Sequence, residues 1–146
     1  MPLLNVPNSI TPELLYALAK MGHGDTLVIA DANFPSDSTA AHAVIKDVIR
    51  VHGTTAEILA DILHLMPLDT YASWPVYVMD RVQSDKDRSL AVPAYSALAK
   101  AAKIEESALG FVERFAFYEQ AKRAFVVVQT DDRSLYANAI VSKGVI

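Results

Sequence analysis

Four short apolar runs constrain this chain more than any other feature. Residues 26–30 read TLVIA, 76–79 read VYVM, 125–129 read FVVVQ and 137–142 read ANAIVS. Each is too brief for a helix, and two are rich in β-branched residues. An unbroken apolar run without alternation is what a strand shows when both of its faces are covered. Helical patterns lie between these runs. Thr11-Pro12-Glu13 reads as a cap, a proline in the first turn and an early acid. Leu14, Leu15, Leu18 and Met21 then share one face, and Gly22 stands where a left-handed C′ residue is expected. A second helix fits residues 55–66, with Ile58, Leu59, Ile62 and Leu65 on one side and Pro67 as its stop. The alanine-rich stretch 93–103 and residues 114–123 read as two more helices. Residues 84–89 read as a charged loop. Strands separated by helices predict an α/β layered domain with a mainly parallel sheet. Ligands of such sheets bind beyond the carboxyl ends of the strands.

The 146 residues suit one domain, 1–146, and the 52% hydrophobic and 21% charged composition excludes disorder. The mean hydropathy of +0.22 is high for a lone soluble subunit and suits apolar contacts between copies. With a net charge of −4 and no basic run, nucleic acid is not an expected partner. No apolar stretch is long enough for a membrane span, and the N-terminus lacks the pattern of a secretory signal, so the expected location is cytoplasmic. The absence of cysteine rules out disulfides, iron–sulfur ligation and a thiol nucleophile.

Four groupings carry potential chemistry. Two of the five glycines flank His23 in Met21-Gly22-His23-Gly24-Asp25, and Asp31 closes the run that follows. An imidazole can donate and accept protons near neutral pH, and a carboxylate can orient it or hold a hydroxyl. The plain alternative is a pair of turn residues. Asp69, Tyr71 and Trp74 offer an acid and flat aromatic faces of the kind that pack on sugar rings; a turn cap and core packing are the alternative. Arg114 sits at a helix start, where a cation gains nothing from the macrodipole. Its fork of donors suits hydroxyls or a carboxylate, or an ion pair with Glu113 or Asp31. Asn138 combines a donor and an acceptor, as a sugar hydroxyl does, and it is also a common turn residue. His42, His52 and His64 lack metal-ligand spacing, so no metal is expected. No P-loop, dinucleotide fingerprint or nucleophile elbow occurs.

Six segments in order, Met21-Gly-His-Gly-Asp25, Asp31-Ala-Asn-Phe-Pro35, Leu68-Asp-Thr-Tyr71, Glu113-Arg-Phe-Ala-Phe-Tyr-Glu119, Tyr136-Ala-Asn138 and Lys143-Gly-Val145, resemble the L-fucose mutarotase and D-ribose pyranase family. The resemblance spans nearly the whole chain and is nearer to the fucose branch. Tyr136-Ala-Asn138 is similar to the ribose branch. His52 stands where the fucose branch usually has aspartate, a difference that bears on substrate preference.

The resemblance implies a three-layer α/β/α sandwich with a mixed, mainly parallel sheet. It implies a cofactor-free isomerase and a ring-shaped homo-oligomer, typically a decamer, with active sites at subunit contacts. It implies His23 as proton donor, Asp69 as a second acid linked to catalysis, and Asp31, Arg114, Tyr136 and Asn138 as sugar contacts. The expected activity is interconversion of the α and β anomers of a free monosaccharide, foremost L-fucose, by acid–base ring opening and reclosure. A non-catalytic monosaccharide-binding protein tied to sugar uptake, or an assembly subunit with a vestigial pocket, are the alternatives.

Overall fold

A computed structural model describes residues 2–146. Helix α1 (Pro12–Lys20) starts where the sequence signals it, with the Thr11 hydroxyl accepting the Leu14 N–H at 3.2 Å. It leads to β1 (Thr26–Ala30), α2 (Ser36–Ala40), β2 (Ile49–Arg50) and α3 (Thr55–Leu65). Helix α3 opens with a full capping box between Thr54 and Glu57. Then come β3 (Val76–Met79), α4 (Gln83–Asp87), α5 (Pro93–Ala101), β4 (Leu109–Val112), α6 (Arg114–Lys122), β5 (Val126–Gln129) and β6 (Ala139–Ser142).

The six strands form one sheet in the order β2-β5-β1-β6-β3-β4. Only β6 runs antiparallel to its neighbours, β1 and β3; the other pairings are parallel. Alternate strand residues feed two separate apolar clusters. Leu27, Ile29, Val126, Val128, Val76 and Val78 pack with Leu14, Leu18, Ile58, Leu59, Ile62 and Leu98 from α1, α3 and α5. Val28, Ala30, Val127 and Ile140 pack on the other face with Phe34, Ala40, Phe117 and Ala121, which brings in α2 and α6. The result is the expected three-layer α/β/α arrangement. Both faces of β1 are sealed, which is why its sequence shows no alternation.

Several local expectations change. Strands β2 and β4 and helix α2 leave no signal of their own. β2 has two residues, and β4 (LGFV) is an edge strand with a glycine and an exposed Phe111. Helix α4 takes up most of the expected charged loop at residues 84–89. The last strand begins at Ala139, so Asn138 precedes it. Gly22 is not left-handed. Met21 ends α1 in an extended conformation, and Gly24, with φ of 84°, makes the turn. The free carbonyls at the end of α1 are taken instead by Lys143, whose Nζ reaches Leu18 O at 2.8 Å and Met21 O at 2.7 Å. No helix among the described residues is long and apolar enough to cross a membrane.

Beyond β6, Gly144 donates its N–H to Pro67 O at 2.8 Å, and Leu68 bridges Lys143. A Cβ on Gly144 would run into the Leu68 carbonyl. Gly144→Ala is therefore expected to lower stability by about 2 kcal/mol, as overpacking against backbone does. Chemical denaturation reads this directly, and an unchanged midpoint would contradict the close approach.

Candidate functional site

The chemistry-bearing residues gather at the two opposite ends of the sheet. At the amino end of β1, the Gly24 turn presents His23. The Gly24 N–H donates to Lys143 O at 2.9 Å, so the turn hangs on the end of β6. The Asp69 N–H donates to Ser142 O at 3.1 Å, which places the Asp69 carboxylate beside the imidazole. His23 Nε2 lies 3.1 Å from Asp69 Oδ1, and that oxygen also accepts the Tyr71 N–H at 3.0 Å. The Tyr71 ring stands edge-on to the imidazole at 5.7 Å. His23 is 46% exposed and Asp69 nearly buried, so a partly open imidazole rests on a fixed carboxylate. The Tyr71 N–H and His23 together hold the Asp69 carboxyl below its ordinary range.

At the carboxyl end, Asp31 follows β1 and Asn138 precedes β6. The antiparallel pairing sets them side by side. Asn138 Oδ1 accepts the Asp31 N–H at 2.8 Å, and its amide donates to Asp31 Oδ2 at 3.1 Å. Asp31 Oδ1 accepts the Asn33 N–H at 2.9 Å. Both side chains are buried, and burial pushes the Asp31 carboxyl up despite these bonds. Arg114, the first residue of α6, donates from Nε to Tyr118 Oη at 3.2 Å and lies over the Phe115 and Tyr118 rings. Glu113 does not pair with it but caps α6, accepting the Phe115 and Ala116 N–H groups at 3.0 Å each. Tyr136 has left-handed backbone with φ of 59°, and its hydroxyl donates to Asp85 and accepts the Val82 N–H.

Asp31, Asn138, Arg114 and Tyr136 line one cavity of about 240 Å³, together with Asp85, Tyr118 and other residues. Pockets for drug-sized molecules run to roughly 300–1,000 Å³, so this one has room only for a smaller molecule. A larger cleft of about 570 Å³ between α1 and residues 45–50 holds none of these groups.

Within one chain His23 and Asp31 do not form a pair. The five residues of β1 separate them by roughly 16 Å, at about 3.3 Å per residue. His23 pairs with Asp69 instead, and Asp31 with Asn138. Trp74 lies against Gly110 on the β4 edge, away from the cavity. His52 pairs with Asp131 at 3.0 Å at the β2 edge, outside the cavity lining. Phe117 is fully buried in the core and Phe115 is exposed. Among the lining residues, Asp85 and Tyr118 carry no individual mark in the sequence. Asp85 sits in a charged stretch that looks solvated, and Tyr118 is within a recognised segment but shows its role only through Arg114. Among the described residues no three carboxylates or imidazoles converge as a metal-ligand set.

A family model described as the RbsD / FucU transport protein family matches residues 5–146. This chain belongs to the RbsD/FucU family. It is 50% identical to the fucose mutarotase of Danio rerio over 148 residues, covering 99% of this chain and 94% of the relative. Its fold matches FucU from Bifidobacterium longum with a TM-score of 0.87 at 44% identity, covering 97% and 99% of the two chains. The fucose mutarotase of Streptococcus pneumoniae, solved in complex with L-fucose, matches with a TM-score of 0.85 at 36% identity over 99% of both.

The two acids at opposite ends of this RbsD/FucU sheet titrate in opposite senses. Asp69, with a depressed folded pKa, contributes stability that is present above 3.8 and lost as pH falls through its lower folded value. Asp31, with a raised folded pKa, costs stability while ionised, and that cost is relieved as pH falls through its raised value. Carboxyl carbon titration by NMR should place Asp31 above and Asp69 below 3.8. The reverse order would overturn the assignment.

Proposed function

We propose that this protein is an L-fucose mutarotase whose active site is completed between two copies of the chain. The observation that carries this is the division of the polar groups. One end of the sheet holds an imidazole–carboxylate pair, and the other holds a small cavity with matched donors and acceptors. The fucose mutarotase names of its relatives supply the reaction and the sugar.

The cavity groups retain defined hydrogen-bonding capacity after their internal bonds are made. Arg114 has only donors to give. Asp31 has acceptor lone pairs left on both oxygens. The Asn138 amide retains one N–H. Tyr136 retains one acceptor pair. Such a set fixes a ring that carries several hydroxyls.

Anomer exchange requires the pyranose ring to open. The anomeric hydroxyl loses its proton, the bond between the anomeric carbon and the ring oxygen breaks, and the ring oxygen gains a proton. The aldehyde carbon rotates and the steps reverse. One group that can both take and return a proton serves each direction. His23 is assigned that role. With Nε2–H donated to Asp69, Nδ1 is the nitrogen left for transfer. Asp69, ionised at neutral pH, stabilises the imidazolium formed when His23 takes a proton. Its catalytic part is therefore to hold His23 in place.

His23 reaches a sugar in the cavity only if a neighbouring copy supplies it. Both ends carry exposed apolar side chains suited to contact, Tyr71 beside His23, and Phe115 and Leu135 near Arg114. A head-to-tail contact of this kind closes into a ring when its rotation divides a full turn evenly, and the assembly proposed is such a ring-based homo-oligomer, a decamer. The proposed location is the cytoplasm, a reducing compartment in which a chain without cysteine forgoes no cross-link.

Saturation transfer between the anomeric protons of L-fucose tests the activity, and no acceleration would sink it. His23→Ala should lose roughly 10²–10⁴-fold in exchange rate, the usual worth of general acid–base help. Sugar binding without exchange would leave a non-catalytic monosaccharide carrier. Co-assembling His23→Ala with Arg114→Ala chains tests the shared site. Random mixing leaves about a quarter of the contacts with both intact halves, so activity should return to about that fraction in a head-to-tail ring. No recovery would place the whole site within one chain.

A further inference from the structure

The segment after β3 is tied together by its own charges. Lys86 reaches Asp80 at 2.6 Å, Arg88 reaches Asp85 at 2.9 Å, and Arg81 donates to Leu90 O at 2.9 Å. Asp85 stands apart from the other acids of this segment. Its side chain is only 17% exposed, and it lines the cavity shared by Asp31, Asn138, Arg114 and Tyr136. One of its oxygens faces Arg88, and the other accepts the Tyr136 hydroxyl at 2.5 Å. The same hydroxyl accepts the Val82 N–H at 3.1 Å. α4 and the turn before it therefore grip Tyr136 from both sides.

A phenol carries one hydrogen and two usable lone pairs. For Tyr136 the hydrogen is committed to Asp85 and one pair to Val82. A single acceptor pair remains. Burial and the adjoining Asp85 carboxylate both raise the Tyr136 pKa, so the phenol keeps its proton at neutral pH.

We propose that Asp85 is a positioning residue for the sugar. By taking the only hydrogen of Tyr136 it makes that tyrosine an obligate acceptor, so the cavity selects a sugar hydroxyl that donates at this point. The proposal rests on reading the cavity as the sugar site. Arg114 supplies donors and the Asp31 carboxylate supplies acceptors. Tyr136, fixed by Asp85, adds an acceptor at a second place on the ring. Without Asp85 the phenolic hydrogen is free to turn into the cavity, where it meets that hydroxyl as a competing donor.

The test compares wild type, Asp85→Ala, Tyr136→Phe, the double variant and Asp85→Asn, reading KM and kcat for L-fucose exchange and Kd for L-fucose. Asp85→Ala should raise KM and Kd about tenfold, the scale of one charge-assisted hydrogen bond, with kcat changed little. The double variant should be no worse than Tyr136→Phe, because Asp85 acts only through that hydroxyl. Asp85→Asn, whose amide oxygen still accepts from the phenol, should restore most of the binding. Among monodeoxy L-fucoses, the analogue lacking the selected hydroxyl should bind wild type and Asp85→Ala alike. A wild-type KM and Kd in Asp85→Ala, or losses that multiply in the double variant, overturn the proposal while the mutarotase reading stands. Wild type that binds without exchanging sinks the mutarotase reading alone, since Kd still reads every comparison. Wild type that neither binds nor exchanges sinks both.

Discussion

The antiparallel seat of β6 between β1 and β3 is the constraint on which both ends of the molecule depend. At the carboxyl end of β1 it brings Asn138 against Asp31, where each side chain satisfies the other. At the amino end it carries Lys143 into the carbonyls that close α1, and it holds the Gly24 turn and Asp69 by backbone bonds. A parallel strand in that place would send its carboxyl end to the cavity. One reversed strand therefore builds the Asp31–Asn138 cavity wall and the His23–Asp69 pair at once.

The two ends use different physics. Asp31 is buried among dipoles, and desolvation dominates its ionisation. Asp69 is held by a backbone N–H and an imidazole that favour its charge. A raised carboxyl beside hydroxyl-binding groups suits a sugar contact. A depressed carboxyl beside a partly exposed imidazole suits steadying a cation. The difference follows from what each carboxylate touches: burial for Asp31, a backbone N–H and an imidazole for Asp69.

Much of the fold was legible because its signals are local. Thr11 and Thr54 cap helices through contacts three residues away. The runs at 26–30 and 126–129 are apolar on both faces because helices cover both sides of the central strands. Strands β2 and β4 were not legible, because an edge position removes the demand for apolar residues on both faces. Gly22 illustrates the same limit. Its place after α1 matches a left-handed cap, yet the carbonyls it would have served are taken by Lys143, more than a hundred residues later.

The sequence by itself determined the layered α/β class, the helix starts, the central strands and the identity of the groups able to move a proton or hold a hydroxyl. These follow from periodicity, capping and side-chain chemistry, which act over a few residues. The tertiary structure alone decided which of those groups meet. His23 and Asp31 are close in sequence, but the rigid strand between them holds them at opposite ends of the sheet. Asp69 reaches His23 across 46 residues, Asn138 reaches Asp31 across 107, and Asp85 reaches Tyr136 across 51. Such meetings are set by sheet order and strand direction, which no local pattern encodes.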